Sequence, residues 1–411
     1  MLKMEDSIYR LKRYDILSLC VTSLLLLGIL MVQSASMSIS GQPGWKWSAL
    51  ATRHALFAGI GFVTFLLISR IDYRKLLPAS GAPWRNPILA ILVVAAVLCA
   101  LVLVPGVGIE KNGARRWLSL GFTQLQPSEL AKWATVLYLA WWLISRPDVL
   151  QTFGGFVRTM VPVGVLTLLV VIHDFGTAAL IAACALTLVV VARVRFWHLL
   201  AILPPVLGIA FWFVYHREYR WKRMTAFLDP FNAPQTEGYH MIQSLLSFAS
   251  GGLSGKGLGN GVQKLGYLPE DTTDFIFSVI AEEMGLFGAV LTVSLYLGIL
   301  LLAWTVIRQP RDSFGRILAL GIASMIGLQA VINISVTTVS VPTKGLSLPL
   351  ISYGGSGLII TCAALGLLGS ILRHHHDSEP AAALNQPPQP GMVPQLRPIG
   401  RKLWHRWTLP G

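Results

Sequence analysis

Charge is what this chain has least of. Only 13% of its 411 residues are Asp, Glu, Lys or Arg, while 54% are hydrophobic and the mean hydropathy is +0.62. An ordinary soluble domain carries about a quarter charged residues, so that class is excluded. Acids are the scarcer sign, 19 against 33 Lys and Arg, which leaves a formal charge of +14. Cysteine is almost missing: Cys20, Cys99, Cys184 and Cys362 all fall in apolar runs. That pattern excludes a disulfide framework and reads as small apolar packing. No His or Cys spacing suggests a structural metal site.

Long apolar runs are abundant. About ten are long enough for a ~30 Å hydrocarbon core, near residues 14–34, 52–70, 86–107, 128–146, 157–173, 176–194, 198–215, 275–306, 315–339 and 347–372. The expectation is an all-α, multi-pass integral membrane protein of about ten transmembrane helices. A long extracytoplasmic loop, residues 216–274, joins the seventh to the eighth. The fifth and sixth runs nearly touch at Asp174–Gly176 and read either as two helices with a tight turn or as one kinked span. The first run is too long for a signal peptide and is expected to stay as an uncleaved helix. Residues 1–373 form the membrane domain. Beyond Arg373 the Pro- and Ala-rich stretch reads as a disordered cytoplasmic tail ending in a basic-aromatic GRKLWHRW.

Placing Met1 inside puts Arg70, Arg74, Lys75, Arg85, Arg193, Arg195, Arg308, Arg311 and the tail on the same side, so both termini are expected in the cytoplasm. This bias and anionic headgroups account for the inner cations, and the pattern points away from nucleic acid. It leaves unexplained a set of outer cations that includes Lys111, Arg115, Arg116, Arg223, Lys256, Lys264 and Lys344.

The polar islands fall on that outer side. Gly251–Gly288 begins with glycines at 251, 252, 255, 257, 259 and 261, then carries Pro269, Glu270, Asp271 and Asp274, and enters an apolar run containing Glu282 and Glu283. In the fourth run Glu129 and Lys132 are three apart, on one helical face, where an ion pair can form. Charges inside a span face protein or a wet cavity. Asp174 either caps the sixth helix or joins the chemistry. Gln329 and Asn333 read as interhelical hydrogen-bonding residues. The stretch around His240 reads as a re-entrant or interfacial helix.

Outer cations beside an outer acid suggest a substrate with an anionic headgroup and a lipid tail, such as a lipid diphosphate. Arg and Lys would stabilise the departing diphosphate while a carboxylate takes the proton of an attacking hydroxyl. Asp274, where the loop meets the eighth run, is the preferred base. On a helix Glu282 falls ~80° from Asp274 and ~12 Å deeper, whereas Glu283 falls ~180° away, so Glu282 is expected to share the lining.

The fragments NGARRWLSLG, QPSELAK, HDFGT, GLGNGVQKLGYLPEDTTDFIFSVIAEEMG and VPTKGLSLPLISYGGSG resemble the SEDS family (shape, elongation, division, sporulation), and more its cell-division members than its elongation members. The resemblance implies a ten-helix glycosyltransferase that polymerises lipid II into peptidoglycan at the outer face of the bacterial cytoplasmic membrane, at the division septum. It implies a class B penicillin-binding protein and other divisome membrane proteins as partners, and a divalent cation, Mg or Mn, as a possible aid. The family's essential acid falls on Asp274 and its lysine on Lys132. Substrate contacts are expected at Lys132, Arg115, Arg116, Glu129, Asp174, Lys264, Glu282 and Lys344. The chain departs from the family pattern at Gln124, His173, Gly266 and Thr272. A lipid II flippase and a non-enzymatic division scaffold are the rival readings.

Overall fold

The computed structural model describes residues 11–374 apart from 41–46, 79–84, 112–113, 120, 122, 217, 237, 309–311 and 344. Ten of its helices fall on the ten apolar runs: α1 Arg13–Ser40, α2 Ala49–Arg70, α3 Pro87–Leu103, α4 Pro127–Ser145, α5 Phe153–Val171, α6 Phe175–Val191, α7 Phe196–Tyr215, α10 Ile276–Ile307, α11 Ser313–Thr337 and α12 Ser356–His374. Two more, α8 Glu218–Leu228 and α9 Tyr239–Gly251, lie in the long loop, the latter where a re-entrant or interfacial helix was expected. Seven of the described helices are long and apolar enough to cross a membrane, and α3 and α6 are apolar but shorter. The tail beyond His374 lies outside the described residues.

Local chemistry sets the helix starts. The Ser48 hydroxyl accepts from the Ala51 amide, Asn86 accepts from Ile88 just ahead of Pro87, and Asp312 accepts from Phe314, each satisfying an amide that the first turn leaves open. Asp174 does the same for α6, accepting from the Thr177 amide. The fifth and sixth runs are therefore two helices, not one kinked span.

Inside the bundle, α2 lies along α12, α10 along α11, and α3 along α4. Gly61 faces the Cys362 sulfur, and Gly366 lies against the Phe65 carbonyl of α2. Small residues at such crossings let helix backbones approach without a hydrophobic drive from water. The four cysteines are free and buried. By contrast, α7 has a single buried side chain, His198, and exposes apolar residues all round.

Three features depart from a plain helical reading. The loop after α3 forms an antiparallel three-stranded sheet, β1 Gly108–Lys111, β2 Ala114–Ser119 and β3 Gln124–Leu125. The last helix begins at Ser356 rather than near 347, and residues 345–355 form an irregular segment inside the protein. Finally, α10 is broken at Gly285, whose φ of 63° is a left-handed value. At the break residues 252–257 of the glycine-rich loop supply the hydrogen bonds. Lys256 and Gly257 amides donate to the Glu282 and Glu283 carbonyls, and the Leu286 amide donates to the Gly252 carbonyl. A Cβ on Gly255 would sit 2.2 Å from the Glu283 carbonyl oxygen, so only glycine fits there.

Candidate functional site: an acid held at the mouth of the bundle

Asp274 stands just ahead of α10, in a turn closed by Thr273 and Phe275 amides donating to the Glu270 carbonyl. Its backbone is fixed from three sides. The Asn333 amide nitrogen on α11 donates to the Asp274 carbonyl at 2.8 Å and to the Leu346 carbonyl at 2.7 Å. The Ser352 hydroxyl donates to the Thr273 carbonyl at 2.6 Å, and the Tyr353 amide donates to the Thr272 carbonyl at 2.9 Å. The segment 345–355 is thus a cradle for the acid.

No hydrogen bond from the described residues reaches the Asp274 carboxylate. Gly345 packs so closely that a Cβ there would lie 2.8 Å from Oδ2. The Asp274 carboxyl is pushed up to about 7, chiefly by burial, with the Glu270 and Asp174 carboxylates adding to the rise and the Arg116 and Arg223 guanidiniums opposing it. Asp271 is likewise pushed up to about 7, chiefly by burial. A carboxylate with free oxygens and a pKa near neutrality is suited to general-base work.

The expected Glu129–Lys132 pair is present at 2.8 Å, with Lys132 almost fully buried. The ammonium also donates to the Gln329 side-chain oxygen at 2.8 Å, and the Gln329 amide donates to the Ser347 carbonyl at 2.8 Å. Lys132 therefore connects α4 and α11 to the same cradle. Gln329 and Asn333, one helical turn apart, do more than join helices. They position the segment under Asp274. Sequence spacing could have flagged them as a pair on one face, but not their targets, which lie in an irregular loop.

Lys264 and Glu282 are brought elsewhere. Glu282 does not share a lining with Asp274. It accepts from Lys256 Nζ at 2.8 Å and from the Val262 and Gln263 amides at 2.9 and 3.1 Å. Glu283 accepts from Lys264 Nζ at 2.6 Å, Ser34 Oγ at 2.7 Å and the Gly259 amide at 3.0 Å. The glycine-rich loop folds back onto both acids and occupies their oxygens, and Asp274 itself lies in the turn ahead of α10, so a helical angle measured from it does not place Glu282. Lys344 lies outside the described residues.

Strand β2 carries Arg115 and Arg116 over a notch between α3, the start of α4 and the end of α5. Arg116 Nε donates to the His173 carbonyl at 2.7 Å, and Arg115 Nε pairs with Glu110 at 3.3 Å. Asp174 lines the same notch, accepting from the Thr177 hydroxyl at 2.7 Å and the Gln126 amide at 3.3 Å. Asp174 is thus a cap, and its charge also acts on Asp274. Arg223 on α8, an outer cation by sequence alone, joins the site through its field on Asp274. Among the described residues no three His, Cys, Asp or Glu side chains gather as a metal site.

The family model described as "Cell cycle protein", covering FtsW, RodA and SpoVE, matches residues 15–377. The chain belongs to this family. Its similarity to other FtsW, RodA and SpoVE family members extends over nearly the whole length. The Coxiella burnetii protein named "Probable peptidoglycan glycosyltransferase FtsW" is 41% identical over 88% of this chain and 95% of its own. The Thioalkalivibrio sulfidiphilus protein of the same name is 40% identical over 90% and 92%. Among solved structures, a chain from a study of polymerization and crosslinking by a peptidoglycan synthase complex superposes with a TM-score of 0.68 at 29% identity, over 88% of this chain and 97% of that one. The Thermus thermophilus rod shape determining protein RodA superposes with a TM-score of 0.58 at 28% identity, over 87% and 95%.

Proposed function

We propose that this peptidoglycan glycosyltransferase uses Asp274 as the general base that joins lipid II units into glycan strands at the outer face of the cytoplasmic membrane. The observation that supports the assignment is the Asp274 carboxylate itself: fixed by its backbone, without a hydrogen bond to its oxygens from the described residues, and raised to about 7 within the field of two guanidiniums. In the reaction, a sugar hydroxyl of the acceptor loses its proton to Asp274 as its oxygen bonds to the anomeric carbon of the donor. The bond from that carbon to the diphosphate breaks, and the electron pair leaves on the diphosphate oxygen. Arg115 and Arg116 stabilise the leaving charge. Lys132, Glu129 and Gln329 act one layer back, holding the cradle that carries Asp274.

The reading extends to the cell. A family of this kind working at the division septum needs a crosslinking partner, and we assign a class B penicillin-binding protein and other divisome membrane proteins to that role, with both termini in the cytoplasm. The test is strand synthesis from labelled lipid II by purified protein with its candidate transpeptidase, wild type against Asp274→Asn. Strands from wild type alone support the base. Strands from both would move it to another residue, and strands from neither would favour a scaffold or a flippase.

A further inference from the structure

The ties that hold Asp274 come from α11 and from the segment 345–355. Helix α9 makes a separate contact with the head of α10. His240, Met241, Ser244, Ser247 and Phe248 recur at helical spacing and so share one face of α9. That face is turned to α10. Met241, Ser244 and Ser247 are buried, and the Phe248 and Phe277 rings lie 5.9 Å apart. Ser244 donates to the Thr337 carbonyl at 2.5 Å, and the Ser278 hydroxyl, 2.7 Å away, then donates to Ser244. Further along, Ser250 donates to Glu282 at 3.4 Å. Helix α9 is thereby fastened to the short outer piece of α10.

At the start of this face the His240 ring lies nearly parallel to that of Phe275, the residue after Asp274, with centroids 5.7 Å apart and planes 15° apart. Its Nδ1 is buried and has no hydrogen-bond partner among the described residues. An imidazolium has two N–H donors to satisfy, so this seat suits the neutral ring. Burial and then the Arg223 guanidinium hold the His240 pKa below its ordinary value, against the Glu270 carboxylate. Arg223 and Glu270 also act on Asp274, which places the ring and the acid in one field. Asp229, ahead of the short turn that packs on α9, spends its oxygens on Phe231 and Asn232.

We infer that His240 is a positioning residue for Asp274, a flat ring laid on Phe275 that closes the α9 side of the base against water. The inference goes beyond the assignment of Asp274 and rests on it for the effect on rate. A ring in this place does two things. It fixes Phe275, and through it the backbone that presents the carboxylate. It also adds to the burial that raises Asp274, without bringing a cation that would lower it. Ring shape and neutrality are what the place requires, so phenylalanine meets both, whereas alanine leaves the side open.

The test follows the carboxyl itself, by infrared titration of the full-length protein in lipid nanodiscs, using the C=O band that Asp274→Asn removes. Strand synthesis is measured beside it at each pH. His240→Ala is expected to lower the midpoint of that band by at least about 0.5 pH unit, because water reaching a carboxylate favours its charged form. The plateau rate is expected to fall several-fold. His240→Phe is expected to keep the wild-type midpoint and most of the wild-type rate. His240→Asn, neutral but without a ring, replaces the alanine variant if that one does not fold, with the same shift expected. A midpoint unchanged in the ringless variant, or one that falls equally in His240→Phe, overturns the positioning role. A shifted band with no strands from wild type would strike the general-base reading and leave the positioning in place. Strands that need Asp274, with one midpoint in every variant, would strike the positioning alone.

Discussion

Two sets of carboxylates lie close together in the sequence and are treated in opposite ways. Glu282 and Glu283 are fully buried, and lysines, a serine and backbone amides converge on their oxygens. Asp274 has its main chain tied to Asn333 while its carboxylate receives no such donor from the described residues. The difference separates an acid that holds structure from one that is held for chemistry. Oxygens already filled by donors have no lone pair to spare for a substrate proton, whereas Asp274, raised to about 7 chiefly by burial, can exchange one.

The largest effect expected from this contrast is on rate. Asp274→Asn should reduce strand synthesis at least about a hundredfold, the scale of a lost general base, while leaving the melting temperature within a degree or two. An equal loss of both would place Asp274 with the structural acids. Next comes stability. Glu283→Ala leaves Lys264 buried without its partner, and breaking such a pair costs about 3–5 kcal/mol. Thermal unfolding should register that loss, and adding Lys264→Met should recover most of it.

A titration sharpens the same line. The base must be ionised to work, and Asp274 is raised to about 7, so strand synthesis should climb as pH rises through that value and level off above it. Each pH unit below costs about tenfold. A profile flat from pH 5 to 8 would remove the raised acid from the mechanism. Asn333→Ala, which loosens the cradle without touching the carboxylate, should lower the maximal rate about tenfold with the pH midpoint in place. The smallest effect belongs to the exposed Arg115–Glu110 pair: Glu110→Gln should change stability by less than about 1 kcal/mol, measured by denaturant titration.

Much of the helical frame was legible because a span announces itself by length and apolarity, and Glu129–Lys132 because three residues of helix put them side by side. Asp274 was legible as an acid at a boundary. What the sequence hid depends on irregular backbone. The LSLPLIS stretch reads as apolar and so merged with α12, yet its role is to expose carbonyls to Gln329 and to Asn333. Glu282 looked like a lining residue because nothing local reveals that a glycine-rich loop some twenty residues upstream returns to occupy it and Glu283. The small sheet bearing Arg115 and Arg116 carries too few residues for an alternating pattern to stand out.

The break at Gly285 bears on how α10 meets the bilayer. As a straight rod its 32 residues would run ~48 Å, well beyond a ~30 Å hydrocarbon layer. The 22 residues from Leu286 to Ile307 already reach ~33 Å alone. Thickness is therefore matched without the first nine residues, and the segment bearing Glu282 and Glu283 is released from the demand that a membrane rod be apolar. The short outer piece can then be tuned to the needs of the acid at its head, and bilayers of different thickness would be felt by the lower piece first.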